Sequence, residues 1–340
     1  MRTWQEAWAE ALYGEGGFYR RAEGPAGHFA TATHGPDGEL LADALLRLVE
    51  KEGLRTVVDV GCGRGELLTA LAAVSRHTHP DLDLLGVDVV DRPADLDPRI
   101  GWLVAPGGPE LPDLGTPTEA LVLAHEWLDV VPCGITRADE AGTLRTVHVD
   151  EDGAEHLGEP LDEADSGWVG RWWPGPHPPG AVVEIGRARD EAFERLVART
   201  GSGLVVAVDY GHRAGRRPID GTLMGYRDGS ACPPLPDGSC DLTAHVAMDS
   251  LRADLVRTQR EMLRGLGVDG ARPPLDRAHS DPAGYLAALS RASHAAALTG
   301  PGPGDFLWAI RRVDRITGSA ARSSPRGRIA GPAPRGGSRR

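Results

Sequence analysis

Apolar and amphipathic segments alternate along the first 130 residues of the chain. Four apolar runs of strand length predict buried strands, at 56–60, 83–90, 100–105 and within 119–128. Segments 39–53 and 66–77 instead carry apolar side chains at helical spacing, and the first ends in a glycine, as helices often do. Strands that alternate with helices through short loops predict an α/β fold whose parallel sheet is covered on both faces.

The alternation changes after residue 134. Residues 134–180 hold short polar strands, acidic stretches and several tryptophans, and this pattern predicts an insertion or cap instead of another strand–helix unit. Apolar runs return at 181–185 and 203–211. The second of these is apolar enough to predict a strand inside the sheet, whereas the closing run 305–313 predicts an edge strand.

These patterns divide the chain into three parts. Residues 1–36 form an N-terminal helix and loop, and residues 37–314 form the main domain, with the insertion at about 134–180. Residues 315–340 are rich in arginine and poor in apolar side chains, so we expect a disordered tail there.

Charge and composition narrow the classes of function. The formal net charge of −12 argues against nucleic acid as a partner. No apolar run approaches the ~20 residues of a membrane span, and the N-terminus lacks the apolar core of a secretory signal. We therefore expect a cytoplasmic protein without membrane insertion. The cysteines contain no C-x-x-C pair, which indicates neither a disulfide framework nor a metal site.

A glycine-rich loop follows the first predicted strand. The sequence DVGCGRGELL places Gly61, Gly63 and Gly65 directly after a strand that contains Asp59. A dinucleotide fingerprint requires a third glycine where this chain has Glu66, and it binds a pyrophosphate at the helix N-terminus. S-adenosylmethionine instead offers an ammonium and a sulfonium, which favour nearby carboxylate and carbonyl oxygens. Glycines also let the backbone approach a ligand without a Cβ in the way. The loop therefore predicts S-adenosylmethionine in preference to NAD.

A second acid supports the same cofactor. Asp88 ends the next predicted strand, about 20–30 residues after the loop, which is near the interval used by carboxylates that bind a ribose. A carboxylate in that place accepts hydrogen bonds from both ribose hydroxyls. The alternative is that Asp88 and the glycines form an ordinary turn, because such turns are common after strands.

Several further segments, in order along the chain, resemble one family. They are GPAGHFATATHGP (24–36), LAHEWLDVVP (123–132), VDYGHR (208–213), GTLMGY (221–226) and PDGSCDLTAHVAMDSL (236–251). Together with the glycine loop they are similar to the MidA-like methyltransferases. These are relatives of the arginine methyltransferase that acts as a mitochondrial assembly factor of respiratory complex I.

The resemblance implies a fold, a cofactor and a substrate. The fold is that of a class I methyltransferase, a Rossmann-like seven-stranded sheet with its last strand antiparallel and an inserted cap region. The implied reaction is methylation of an arginine side chain on a partner protein, a complex I subunit by resemblance, and a homodimer is also suggested. The implied cofactor contacts extend to Gly27 and Thr31 in the N-terminal motif and to His125.

The resemblance also suggests catalytic residues. Glu126 and Asp129 follow the fourth strand, and Asp209 ends the strand 203–209, so all three belong at the carboxyl edge where α/β folds bind ligands. Carboxylates orient a guanidinium and accept a proton from it. Glu126 and Asp129 are three residues apart, so they share a face if the segment is helical. The alternative is that both cap a helix or form salt bridges.

One departure from the family pattern leaves other functions open. His125 replaces the asparagine of the family's N-E-x-x-D motif. A methyltransferase that acts on a small molecule is one alternative. A non-catalytic assembly factor that retains the fold is another, which the histidine favours and the intact glycine loop opposes. An NAD-dependent oxidoreductase is disfavoured by Glu66.

Overall fold

The computed structural model describes residues 1–21 and 35–314. The helices are α1 (Trp4–Tyr13), α2 (Gly35–Glu52), α3 (Glu66–Ser75), α4 (Glu163–Trp172), α5 (Arg187–Arg199), α6 (Gln259–Gly265), α7 (Arg277–Ser280) and α8 (Pro282–Leu298). The strands of the first half are β1 (Arg2–Thr3), β2 (Thr56–Val60), β3 (Asp83–Asp88), β4 (Ile100–Val104), β5 (Ala120–His125), β6 (Gly134–Ala138), β7 (Leu144–Val149), β8 (Glu155–Pro160) and β9 (Val182–Ile185). Those of the second half are β10 (Gly203–Asp209), β11 (Gly211–His212), β12 (Met224–Arg227), β13 (Ser230–Cys232), β14 (Asp241–Thr243), β15 (Val246–Ala247), β16 (Leu255–Thr258) and β17 (Leu307–Val313).

The main sheet has seven strands in the order β16-β17-β10-β5-β2-β3-β4. Strands β2, β3, β4, β5 and β10 pair in parallel, and β17 runs antiparallel to both of its neighbours. The expected sheet with an antiparallel last strand is therefore confirmed. The strand predicted inside the sheet, β10, lies between β5 and β17.

The prediction that the closing strand lies at an edge is wrong. Strand β17 is inserted between β10 and β16, and Trp308 and Ala309 are fully buried. The edge position belongs to β16, which the sequence analysis missed. Strand β16 is short and half-exposed, so it lacks the apolar run that marks a buried strand.

Helices cover both faces of the main sheet, as its apolar strands require. On one face, α2 and α3 contribute Leu45 and Leu68 to a core that includes Leu121 of β5. On the other face, Phe193 of α5 packs with Val122 of the same strand. Successive residues of β5 thus point into opposite cores, and every residue of the strand is buried. This burial on both faces explains why the strand reads as a continuous apolar run.

Residues 134–185 and the start of the chain form a second sheet. Its order is β1-β7-β6-β9, and β8 also pairs with β7 in antiparallel orientation. The strand predicted at 181–185 therefore pairs with β6 and not with the main sheet. Helix α1, capped by Thr3, buries Trp4 and Trp8 completely, and the Trp8 indole donates to the carbonyl of Leu242 at 3.0 Å. This contact ties the N-terminal helix to β14, beside the cavity described below.

Two predicted features fall outside the described residues: the N-terminal motif with Gly27 and Thr31, and the arginine-rich tail 315–340. Within residues 1–21 and 35–314, no helix combines the length and the apolar character that crossing a bilayer requires. The same residues contain no group of three or more histidine, cysteine or acidic side chains arranged to hold a metal ion.

Candidate active site

A cavity of about 1200 Å³ opens at the carboxyl edge of the main sheet. Its lining divides into two groups of residues. We call Asp59, Asp88 and the loop 61–65 the glycine-loop half, of which all residues except Gly65 line the cavity. The carboxylate half consists of Glu126, Asp129, Tyr19, Tyr210 and Asp241, and all of these residues line the same cavity.

The glycine loop is built from left-handed backbone. Gly61, Gly63 and Gly65 have φ of 71°, 60° and 85°, values that side chains with a Cβ rarely adopt. A Cβ on Gly61 would lie 2.8 Å from Cδ1 of Trp127, and one on Gly65 would lie 2.9 Å from Cδ1 of Leu96. The glycines at 61 and 65 are thus required by the turn and by packing within the protein, a different reason from the ligand approach that the sequence suggested.

Asp88 fastens the loop to the end of β3. One carboxylate oxygen accepts the N–H of Gly63 at 2.8 Å, and the other accepts the N–H of Val90 at 3.3 Å. Burial raises the pKa of Asp88 to about 6, although these backbone N–H groups act in the opposite direction. Each oxygen retains a further lone pair, so the carboxylate still has acceptor capacity for ligand hydroxyls.

Asp59 is a buried carboxylate among other acids. Its side chain is 3% exposed at the end of the loop-bearing strand β2. The pKa of Asp59 rises to about 8, first because burial disfavours its charge and then because Asp88 and Glu66 repel it. A cationic group of a ligand in the cavity would relieve this cost, so the residue fits the ammonium of an amino acid.

The segment after β5 is not helical, contrary to the geometry considered for Glu126 and Asp129. Glu126 has φ of 51°, in the left-handed region. Its N–H donates to the carbonyl of Val208 at 2.8 Å, and its Oε2 accepts the hydroxyl of Tyr210 at 3.1 Å. The backbone therefore turns sharply at the first residue past the strand, which directs the segment over the sheet edge.

Asp129 is buried in the same half of the cavity. Its Oδ1 has no hydrogen-bond partner among the described residues. Burial and then the charge of Glu126 raise the pKa of Asp129 to about 7, whereas Arg189 acts to lower it. The structure thus brings the two predicted carboxylates together without a helix between them.

Asp209 lies beneath this segment and does not line the cavity. Its Oδ2 accepts the N–H groups of Leu128 and Asp129 at 2.9 and 3.2 Å, and its Oδ1 accepts that of Tyr210 at 3.1 Å. The carboxylate is fully buried, and burial is the main cause of its raised pKa. These contacts favour a positioning role for Asp209 over the catalytic role expected from its place in the sequence.

His125 lines the cavity between the two halves. Its Nδ1 lies 3.4 Å from Oε1 of Glu126, and its buried Nε2 has no partner among the described residues. Burial lowers the pKa of His125 to about 4, so the ring is neutral at pH 7. A neutral ring has one N–H donor and one nitrogen acceptor, whereas an asparagine amide offers two N–H donors and a carbonyl oxygen.

Sequence reasoning missed part of the carboxylate half. Asp241 lies in β14, and its Oδ1 accepts the hydroxyl of Tyr19 at 2.8 Å. Burial raises the pKa of Asp241 to about 8. Tyr210 packs against Phe306 and stacks on His245, with ring centroids 4.2 and 6.1 Å apart. The D-Y-G and D-L-T-A-H blocks contained these residues, but their convergence depends on the fold.

Arg189 is the other residue that the sequence did not reveal. It is 1% exposed, and its guanidinium donates to three carbonyl oxygens, those of Val131, His245 and Asp129, at 3.0, 2.9 and 2.7 Å. In the sequence it is one of several arginines on an amphipathic helix, which most often face solvent.

Comparison with known proteins identifies the family of the chain. The sequence model of a family described as "Putative S-adenosyl-L-methionine-dependent methyltransferase" matches residues 40–264. The chain belongs to this family. The cofactor is S-adenosylmethionine, as the glycine loop predicted. No curated protein matches the chain significantly.

Two solved structures from Burkholderia thailandensis share the fold of this methyltransferase. An uncharacterized protein is 24% identical with a TM-score of 0.70. A candidate methyltransferase solved with S-adenosyl-homocysteine is 22% identical with a TM-score of 0.71. Each alignment covers 92% of this chain and 87% of the other. The fold is that of a class I methyltransferase.

Proposed function

We propose that this methyltransferase transfers a methyl group to an arginine side chain of a partner protein. The observation that carries the proposal is the pair Glu126 and Asp129, which line the cavity next to the glycine-loop half. Asp129 is buried with an oxygen that has no partner among the described residues. A planar cation with several N–H donors matches two adjacent carboxylates. The resemblance to the MidA-like family supports a respiratory complex I subunit as the partner.

The glycine-loop half suits the cofactor. In this proposal Asp59 accepts from the ammonium of S-adenosylmethionine, and Asp88 accepts from its ribose hydroxyls. Gly63 offers a backbone position whose added Cβ would meet only the Glu66 carboxylate, at 3.3 Å. When bound, the cofactor supplies an electrophilic methyl group on a sulfonium. The protein's own residues bind it and orient it.

The carboxylate half orients the acceptor and takes its proton. The pKa of a guanidinium exceeds 12, so the group is protonated near neutral pH. In that state it is a poor nucleophile. As a nitrogen–carbon bond forms and the carbon–sulfur bond breaks, one guanidinium proton must leave, and Asp129 is placed to accept it. Its pKa of about 7 suits a base that works near neutral pH. The Tyr210 hydroxyl holds Glu126 in place, so that Glu126 orients the guanidinium.

Methyl transfer into the proteins of a strain that lacks this gene tests the proposal. Purified enzyme and labelled S-adenosylmethionine should produce methyl-arginine, detected by mass spectrometry of the proteins. Glu126→Gln keeps the shape of the side chain and removes the charge that orients the guanidinium, so transfer should fall by ~100-fold. Affinity for S-adenosyl-homocysteine should barely change, because the adenosine is held by the other half.

A matched variant and two contrary outcomes complete the design. Glu191→Gln changes an exposed glutamate on α5 and should leave transfer intact. Label that appears only in small molecules would show a small-molecule methyltransferase. Cofactor binding without transfer to any protein would instead indicate an assembly factor, and His125→Asn would then test whether restoring the family's residue restores activity.

A further inference from the structure

The buried guanidinium of Arg189 joins two segments of the carboxylate half. Its Nη2 and Nε donate to the carbonyls of Asp129 and Val131, which lie on the segment after β5. Its Nη1 donates to the carbonyl of His245, which lies between β14 and β15. The two segments are more than a hundred residues apart in sequence, so one side chain fixes their distance. No carboxylate oxygen takes part in these three hydrogen bonds.

The position of the charge is as informative as the contacts. Arg189 is held over the indole of Trp8, with the guanidinium carbon 5.5 Å from the ring centroid. The three hydrogen bonds of Arg189 go to neutral carbonyls, and among the described residues no carboxylate forms a salt bridge with it. A buried cation in a low dielectric acts strongly on nearby acids. Asp129 and Asp209 are among the acids that its charge stabilises.

We infer that Arg189 is the positioning residue of the methyl-acceptor site, which sets both the geometry and the charge state of Asp129. The inference rests on the proposed function of that half. Through its hydrogen bonds, the guanidinium fixes the backbone carbonyls of both Asp129 and Val131. Through its charge, it keeps Asp129 ionised often enough to accept a proton. Arg189 itself reaches neither the cavity nor the reacting atoms, because it does not line the cavity.

Two substitutions separate the two effects. Arg189→Lys keeps the positive charge but cannot form all three hydrogen bonds to the backbone carbonyls. Arg189→Gln keeps a pair of N–H donors and loses the charge. The matched control is Arg187→Lys on the same helix, where the arginine is exposed and bonded to Asp165. All proteins are studied as complexes with S-adenosyl-homocysteine, so no methyl acceptor is needed.

The first readout is amide hydrogen exchange of peptides that cover 126–133 and 242–248. In Arg189→Lys, exchange in both peptides should accelerate about tenfold or more, while a peptide covering 61–66 keeps the wild-type rate. Equal acceleration in all three peptides, or in none, would overturn the inference, because a general loss of stability does not select two segments.

The second readout is the titration of Asp129, followed by carbon NMR of labelled aspartate carboxyls and assigned with Asp129→Asn. The charged and titratable groups near this carboxylate belong to several elements: Glu126, Arg189, Asp209, Tyr210, Asp241, Tyr13 and Tyr19. The midpoint should move upward by half a pH unit or more in Arg189→Gln and stay in place in Arg189→Lys. An unchanged midpoint in Arg189→Gln would overturn the charge effect.

These readouts distinguish the inference from the proposed function. If both behave as expected but wild-type enzyme methylates no arginine, the positioning role stands and the substrate is different. If arginine is methylated and both variants keep transfer within twofold of wild type, the positioning role fails alone. Should Arg189→Gln fail to fold, Arg189→Lys still tests the positioning role. In that variant we expect faster amide exchange only in the peptides 126–133 and 242–248, with an unchanged titration midpoint of Asp129. Exchange that does not select these two peptides would overturn the inference.

Discussion

The two halves of the cavity are assembled in different ways. The glycine-loop half comes from one strand–loop–helix–strand unit, between Asp59 and Asp88. The carboxylate half draws on side chains from Tyr19 to Asp241, contributed by segments that are far apart in the sequence. The first half is therefore a local structure, and the second exists only when most of the chain is folded.

The forces that hold the two halves differ accordingly. The glycine loop is fixed by left-handed backbone and by the Gly63 N–H that donates to Asp88. The carboxylate half is fixed by buried charged groups that bond to backbone, above all Asp209 and Arg189. Trp127 packs on Gly61 and joins the two halves. Both halves concentrate buried carboxylates, which suits a cation on the cofactor and, under the proposed function, a second cation on the acceptor.

The largest expected effect comes from the contact between Gly61 and Trp127, which joins the two halves of the cavity. Gly61→Val should abolish both S-adenosyl-homocysteine binding and methyl transfer, because a branched side chain collides with Trp127 and disfavours the left-handed turn. Isothermal titration calorimetry and a transfer assay measure the two losses.

A paired alanine comparison sharpens this result. Gly53 has φ of 65° and no atom within 4 Å of an added Cβ, so Gly53→Ala carries the backbone cost alone. Gly61→Ala should lower cofactor affinity far more than Gly53→Ala. Equal effects would mean that the contact with Trp127 does not join the halves.

Asp88→Ala should weaken S-adenosyl-homocysteine binding by roughly ten- to a hundredfold, equivalent to about 1.5–3 kcal/mol. The variant loses a charged acceptor for the ribose and also the partner of the Gly63 N–H. Calorimetry measures the affinity. Asp83→Ala, at the exposed opposite end of the same strand, is the control and should bind normally. If only the melting temperature falls in Asp88→Ala, the carboxylate is structural.

Asp209→Asn should act on the carboxylate half alone. The new amide replaces a carboxylate that accepts three backbone N–H groups, and an N–H donor turned toward them leaves a buried group unpaired. We expect methyl transfer to fall about tenfold and cofactor affinity to stay within about threefold.

The control for Asp209 is Asp113→Asn, where an exposed carboxylate accepts a single N–H from Gly115. Transfer and affinity should both be unaffected there. A loss of cofactor affinity in Asp209→Asn with normal transfer would contradict the separation of the two halves.

The smallest expected effect is a dependence of stability on pH. Asp59 has a pKa of about 8 in the folded protein against an ordinary value of 3.8. Its contribution to stability is fully present below its ordinary pKa and is lost as pH rises toward 8, by about 1.4 kcal/mol per pH unit at most. The protein without cofactor should therefore melt a few degrees higher at pH 6 than at pH 8.

In the same melting experiment, cofactor binding should distinguish the pH dependence that arises from the glycine-loop half from that which arises from the carboxylate half. An ammonium beside Asp59 stabilises the charged carboxylate, so S-adenosyl-homocysteine should reduce the pH dependence and bind more tightly at pH 8 than at pH 6. The part of the pH dependence of the melting temperature that arises from Asp129 and Asp241 should persist in the complex. An unchanged dependence in the complex would remove Asp59 from the ammonium site, and Asp59→Asn should mimic the reduction without cofactor.

The sequence by itself determined the glycine-loop half of the cavity. Strand β2, the glycine loop, α3 and β3 follow from apolar periodicity and from residues that are neighbours along the chain. The cofactor followed as well, because the glycine loop, the acid before it and the acid after it suit S-adenosylmethionine better than the pyrophosphate of NAD. Local backbone preferences set these features, so they are visible without knowledge of the fold.

Only the tertiary structure decided which polar residues face the cavity. Asp209 and Asp129 look alike in sequence, since both lie just past or at the end of a buried strand. Asp209 turns inward to hold backbone, whereas Asp129 lines the cavity. Arg189 cannot be told from its exposed neighbours on α5, and β17 enters the sheet interior where its position at the end of the chain suggested an edge. In each case the outcome depends on contacts between distant segments, whose free energies arise only when those segments pack together.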